Sequence, residues 1–111
     1  MKVAISSMGK NIESQVSELF GRCPYFVIAE IENKQIVKVE VEENKSVNQA
    51  GGAGISAAQA IAEKNVNVVI TGNVGPRASD VLKQFKIEVY TGSGKVNEVL
   101  QKFIENKLKK I

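Results

Sequence analysis

The second half of this 111-residue chain alternates between helical and strand patterns, and this alternation limits the fold more than any other feature. From residue 55 onward, apolar residues recur at helical spacing and are interrupted by two short β-rich runs, 66–71 and 87–91. Strands that are joined through helices pair in parallel, because the right-handed crossover packs back onto the same sheet. The pattern therefore predicts an α/β fold.

The first half of the chain adds three further strands. Residues 3–6 form a short apolar run, whereas 25–31 and 35–42 are rich in β-branched residues and are separated by the turn 32–34. These patterns predict one domain, residues 1–111, with a five-stranded mixed sheet and helices on both faces. Strands one, four and five are expected to be parallel, and the hairpin strands antiparallel.

Two connecting segments have less regular patterns. Ile12, Val16 and Leu19 recur at i, i+4 and i+7, which favours a short helix between the first two strands, with a loop as the alternative. Residues 43–54 are polar and glycine-rich without periodicity, and loops of this length are commonly functional or mobile.

Composition excludes several function classes. The net charge is only +3 and is spread along the chain, so no nucleic-acid surface is expected. One cysteine and no histidine exclude an intramolecular disulfide and nearly exclude a zinc site built from protein ligands. No apolar run approaches the roughly 18 residues of a membrane span, and the N-terminus lacks a signal-peptide pattern. We therefore expect a cytoplasmic protein that does not bind membranes.

Three glycine-rich turns precede the predicted helices, at 51–54, 72–76 and 92–94. Helix N-termini carry free N–H groups and a partial positive charge, and ligands of such sheets bind beyond the carboxyl ends of parallel strands. The turns therefore predict one anion site at this edge, the alternative being that each glycine serves only the geometry of its turn. Neither nucleotide motif is complete: Val89 occupies the first glycine position of a P-loop, and no strand precedes the G-x-G-x-x-A run at 52–57. A phosphate-binding enzyme is thus the weakest hypothesis.

Two sulfur-containing residues are candidate ligands at the same edge. Cys23 is interpreted either as a small buried residue or as a thiolate whose pKa Arg22 lowers. Met8 either supplies a soft sulfur in the first turn or only fills space there. Without histidine no Cys–His nucleophile pair exists, and Asp80 is the single aspartate, so the clustered acids of a nuclease are missing.

Four runs of the sequence, residues 16–26, 51–55, 71–78 and 90–96, resemble the nitrogenase iron-molybdenum cofactor biosynthesis domain family, which includes NifX-like proteins and the C-terminal domain of NifB-like proteins. The resemblance implies a ribonuclease H-like three-layer fold and, for some members, noncovalent carriage of an anionic iron-sulfur or molybdenum-containing cluster. Where many relatives have histidine, this chain has Leu19 and the run 48–52.

The resemblance implies a non-catalytic carrier, whose cluster would be held by backbone N–H groups and by basic side chains, Arg77 among them. The alternative hypothesis is a protein-interaction module that acts on a cluster-handling partner through the 43–54 loop or the basic C-terminal helix. The predicted cluster-binding residues, with Cys23 as the metal ligand, are Met8, Arg22, Cys23, Gly52, Gly54, Asn73, Gly75, Gly92 and Lys95.

Overall fold

Six strands and three helices make up the computed structural model, which describes all 111 residues. In chain order the elements are β1 (Lys2–Ser7), β2 (Tyr25–Glu32), β3 (Gln35–Glu43), α1 (Ala53–Glu63), β4 (Val68–Thr71), α2 (Pro76–Gln84), β5 (Glu88–Thr91), α3 (Val96–Ile104) and β6 (Lys109–Lys110).

The strands form one mixed sheet in the order β3-β2-β1-β4-β5-β6. β1, β4 and β5 are parallel, and β2 and β3 form an antiparallel hairpin, as the sequence predicted. β2 also pairs antiparallel with β1. The β2–β3 hairpin turns through Asn33 and Lys34, whose φ angles of 53° and 63° are both left-handed. Two consecutive left-handed residues are typical of a type I′ turn, whose twist matches that of the flanking strands.

The prediction of five strands was wrong, because the lysine-rich residues 107–110 do not continue the last helix. α3 ends at Ile104, and Asn106 adopts a left-handed φ of 59° that reverses the chain. Lys109–Lys110 then pairs antiparallel with β5 as a sixth strand. The strand is only two residues long, too short to give a β pattern in the sequence. The likeness to ribonuclease H stays a prediction.

Helices cover both faces of the sheet, giving three layers, and a separate apolar core fills each side. α1 and α2 pack on one face, over a core that includes Phe26, Val69 and Leu82. α3 packs on the other face, over a core that includes Ile5, Ile70 and Leu100. Alternate residues of β1 and β4 point to opposite cores, so these central strands are buried on both sides. None of the three helices is both long enough and apolar enough to cross a membrane.

The short helix favoured at Ile12, Val16 and Leu19 does not form. The segment instead runs as turns and isolated bridges between β1 and β2. Its three apolar residues do not share one buried face: Ile12 and Val16 pack on the α3 core, whereas Leu19 is 54% exposed. Hydrogen bonds to distant loops replace those of a helix, so tertiary contacts override the local spacing.

Candidate functional site

Residues 8–24, which we call the crossing segment, lie across the carboxyl ends of the three parallel strands. The Ser17 N–H donates to the Ser6 carbonyl at the end of β1 (2.8 Å), and the Gly72 N–H just after β4 donates to the Ser17 carbonyl (3.2 Å). One residue before Ser17, the Val16 N–H donates to the Gly94 carbonyl in the loop that follows β5 (2.8 Å). The segment is therefore joined to the end of β1 and to the loops that follow β4 and β5.

A buried hydroxyl pair fastens the middle of this arrangement. Ser6 Oγ lies 2.7 Å from Thr71 Oγ1 and donates to the Ser17 carbonyl (2.9 Å). All three residues are buried, and a buried hydroxyl without a partner would be costly. The network thus fixes where the crossing segment meets β1 and β4.

The end of the crossing segment packs directly on α1. Phe20 is buried, with its ring centroid 5.3 Å from that of Phe26. A Cβ built on Gly21 would lie 2.6 Å from the backbone nitrogen of Gly54, so only glycine allows this approach. The sequence reasoning did not single out Gly21, because this role depends on a residue 33 positions away.

The crossing segment divides the strand edge into two cavities, so the three glycine turns do not form the single site that was expected. A cavity of about 510 Å³, the arginine cavity, opens between the N-termini of α1 and α2. A second cavity of about 580 Å³, the glutamate cavity, lies beside the loop before α3. Asn73 lines both. The arginine cavity is lined by Leu19, Phe20, Gly21, Arg22, Gly52, Ala53, Gly54, Ile55, Asn73, Gly75, Pro76, Arg77 and Ala78.

The arginine cavity combines several positive features and no acidic side chain. Arg22 and Arg77 both line it, and its lining contains no Asp, Glu, Cys or His. α1 and α2 begin at its wall with Gly52 and Gly75 as N-caps, and neither helix has a side-chain cap or an acidic residue in its first turn. Uncapped N-terminal N–H groups and aligned peptide dipoles favour an anion there.

Arg22 also holds the loop that follows β3. Its Nη1 donates to the carbonyls of Val47 (3.1 Å) and Gln49 (2.6 Å). Asn44 secures the beginning of the same loop, since its Nδ2 donates to the Cys23 carbonyl (2.8 Å). The remaining Arg22 donors make no hydrogen bond within the protein, so the guanidinium can serve the loop and a ligand together.

The glutamate cavity has the opposite electrostatic character. Glu18 is its only charged lining residue, and its other polar side chains are those of Gln15, Asn73, Thr91 and Ser93. Gly92 belongs to this cavity. An anion is therefore favoured in the arginine cavity and not in this one.

Cys23 lies inside the α1/α2 core and lines neither cavity. Its side chain is fully buried, and Sγ donates to the Phe20 carbonyl at 3.0 Å. Burial raises the pKa of the thiol to about 12, the reverse of the lowering expected from Arg22. The thiol is therefore protonated at neutral pH, and the interpretation of Cys23 as a small buried residue fits the structure better than that of a metal ligand.

The other predicted site residues lie in three places. Arg22, Gly52, Gly54 and Gly75 line the arginine cavity. Met8 is 57% exposed and lines neither cavity. Lys95 is also outside both, with its Nζ 3.6 Å from Glu13 Oε2.

Comparison with known proteins identifies similar chains over almost the full length. The family described as dinitrogenase iron-molybdenum cofactor matches residues 1–106. An uncharacterised protein of Methanocaldococcus jannaschii is 38% identical over 99% of this chain and 95% of its own length.

Solved structures with the same fold include two that superimpose over nearly the whole chain. The apo form of the orange protein from Desulfovibrio gigas matches with a TM-score of 0.92 and 28% identity, covering 99% of this chain and 92% of the other. A proposed NifB protein from Thermotoga matches with a TM-score of 0.84 and 37% identity, covering 98% and 91%.

Proposed function

Because the chain belongs to the dinitrogenase iron-molybdenum cofactor family, we propose that it is a non-catalytic carrier of an anionic iron-sulfur or molybdenum-containing cluster, bound in the arginine cavity. One observation carries the proposal: two uncapped helix N-termini and two arginines converge on one cavity whose lining has no carboxylate. A cavity of about 510 Å³ is also large enough for a small polynuclear cluster.

The lining determines how such a cargo would be held. The cavity wall offers no thiolate, imidazole or carboxylate, and no group of three or more metal-binding side chains occurs anywhere in the structure. The protein would therefore bind the outer atoms of the cluster through N–H donors and positive charge. Its cargo must bring a complete ligand shell of its own, as a thiometallate does, because no protein atom replaces a missing ligand.

The same lining supports carriage in preference to catalysis. General acid–base chemistry requires a titratable group near neutral pH within reach of the substrate, and covalent catalysis requires an activated nucleophile. The arginine cavity has neither. Binding through hydrogen bonds and charge alone also lets the cargo leave intact, which a carrier requires.

Tetrathiomolybdate is a suitable probe, since it is a dianion whose metal is already fully coordinated by sulfide. We would titrate the protein with it anaerobically, then measure molybdenum in the protein peak after gel filtration. We expect stoichiometric co-elution, and a loss of about tenfold or more in affinity for Arg77→Ala, because hydrogen bonds to charged groups contribute about 1.5–3 kcal/mol. Raising the ionic strength should weaken binding further.

Two variants serve as matched controls. Lys83→Ala removes one positive charge from the last turn of the same helix, far from its N-terminus, and should leave binding unchanged. Cys23→Ala should also retain binding, since the thiol is buried outside the cavity. If Arg77→Ala binds like the wild type, or if no molybdenum travels with the folded wild-type protein, the proposal fails.

A further inference from the structure

The free edge of β3 is long, extended and apolar. Its nine residues pair with β2 on one side only, and none of them belongs to either buried core. Ile36, Val37, Val39 and Val41 are between 38% and 54% exposed. The opposite edge of the sheet is formed by the two-residue β6 instead. A long edge strand with exposed apolar residues is a template for pairing with another strand.

The two faces of β3 differ in chemistry. Val39 and Val41 lie opposite Ala29 and Val27, whose side chains belong to the α3 core, so both valines point to the α3 face. Lys38 and Glu40 point to the other face, where their side chains form an exposed ion pair at 2.8 Å. A bulge between β2 and β3 occurs next to Lys38, which leaves Val37 without a partner on β2.

The side chains of β3 complement those of a second, antiparallel β3 in a single register. When a two-fold axis passes beside Val39, Val39 faces its own copy, and Lys38 faces Glu40 of the partner subunit on each side of the axis. Shifting the axis to Lys38 sets two lysines opposite each other, and shifting it to Glu40 sets two glutamates opposite each other. Opposite charges in direct cross-strand pairs stabilise a sheet, and like charges destabilise it.

We propose that β3 is a self-association surface, on which a second copy of this chain adds its own β3 antiparallel to join the two sheets into one of twelve strands. The two-fold register selects a second copy over an unrelated peptide, because the Val39 pair and both ion pairs form simultaneously. The regularly paired segment is short, residues 38–40 of each strand, since the bulge at Val37 distorts the strand next to it. The association is therefore reversible and depends on protein concentration. It is independent of what the arginine cavity binds.

Exchanging the charges of Lys38 and Glu40 tests this pairing register directly. Sedimentation equilibrium between about 10 µM and 1 mM should show a monomer–dimer equilibrium for the wild type. Lys38→Glu and Glu40→Lys each set like charges opposite each other twice, and each should raise the dimer Kd about tenfold. The double variant Lys38→Glu/Glu40→Lys restores opposite pairs and should return to the wild-type Kd.

Mixing the two single variants provides a second, independent readout. A Lys38→Glu subunit carries two acids and a Glu40→Lys subunit carries two lysines, so the mixture should form a heterodimer tighter than either homodimer. Glu105→Lys is the control, because it alters the exposed ion pair of Glu105 with Lys107, in the turn that connects α3 to β6 at the far edge of the sheet. It should leave the dimer Kd unchanged. Circular dichroism verifies that each variant is folded.

Three results would overturn the proposal. These are a wild-type protein that is monomeric at about 1 mM, a dimer whose Kd the single variants do not change, or an equimolar mixture with no preference for the heterodimer. Capture of a different extended peptide by β3, with no self-association, would likewise reject a second copy as the occupant.

Discussion

Substitution of Gly21 by alanine should separate the crossing segment from α1. A Cβ at this position would lie 2.6 Å from the backbone nitrogen of Gly54 and 2.7 Å from its Cα. Ordinary contact begins near 3.4 Å, so the two backbones must move apart by about 0.8 Å. Both close atoms belong to the main chain, and no side-chain rotation relieves the clash.

The cost of that displacement should be about 1–3 kcal/mol in the free energy of unfolding, as for overpacked cores. For a domain of this size, such a loss lowers Tm by roughly 5–20 °C. Urea unfolding followed by circular dichroism measures the first quantity, and a thermal scan measures the second. Because Gly54 opens the first turn of α1, tetrathiomolybdate binding should weaken as well.

Gly51→Ala is the matched control for this experiment. It makes the same chemical change in the loop that leads to α1, but a Cβ there meets no atom within 4 Å and the φ angle is not left-handed. Its stability should stay within about 0.5 kcal/mol of the wild type. Equal stability of the Gly21→Ala and Gly51→Ala proteins would refute the close-packing argument.

Four further substitutions test other parts of the structure. Folding raises the pKa of the Cys23 thiol to about 12, so the unfolded chain loses this proton at lower pH than the folded protein. The free energy of unfolding should therefore fall between about pH 9 and 12, by up to about 1.4 kcal/mol per pH unit. Urea titrations at each pH should show that Cys23→Ala lacks this contribution. Ser6→Ala removes one of the two hydrogen bonds to the buried Ser17 carbonyl and the hydrogen bond to the Thr71 hydroxyl, and these two losses should together cost about 1–3 kcal/mol by urea unfolding, whereas Thr71→Ser, which keeps the hydroxyl, should cost less. Lys34→Gly removes the strain of a left-handed φ of 63° from the hairpin turn and should raise stability by about 1 kcal/mol; a lower Tm would contradict the type I′ assignment.

Much of the fold was predictable because its signals are local. The alternation of apolar and polar residues along 35–42 identified a hairpin strand, and the crossover pattern after residue 55 identified the parallel strands. Pro76 after Gly75 marked the start of α2, since its fixed φ suits the first helical position. Each of these patterns is decided within a few residues of the chain.

The candidate site was predictable in part. Glycine turns located the N-termini of α1 and α2, and Arg22 lines the cavity between them. The division into two cavities was missed, because it depends on where the crossing segment lies over the strand ends. The position of Cys23 was also ambiguous, since the residues around it in sequence do not reveal whether a turn faces solvent or core.

The sequence by itself determined five of the six strands, the three helices, the absence of histidine ligands and the family to which the chain belongs. Only the tertiary structure decided that residues 8–24 bridge three strand ends, that Cys23 is a buried neutral thiol, and that Arg22 and Arg77 meet in one cavity. The physical reason is the range of the interactions. Periodicity and turn geometry act between neighbours in the chain, whereas burial, pKa and cavity shape depend on atoms that folding brings together from distant positions.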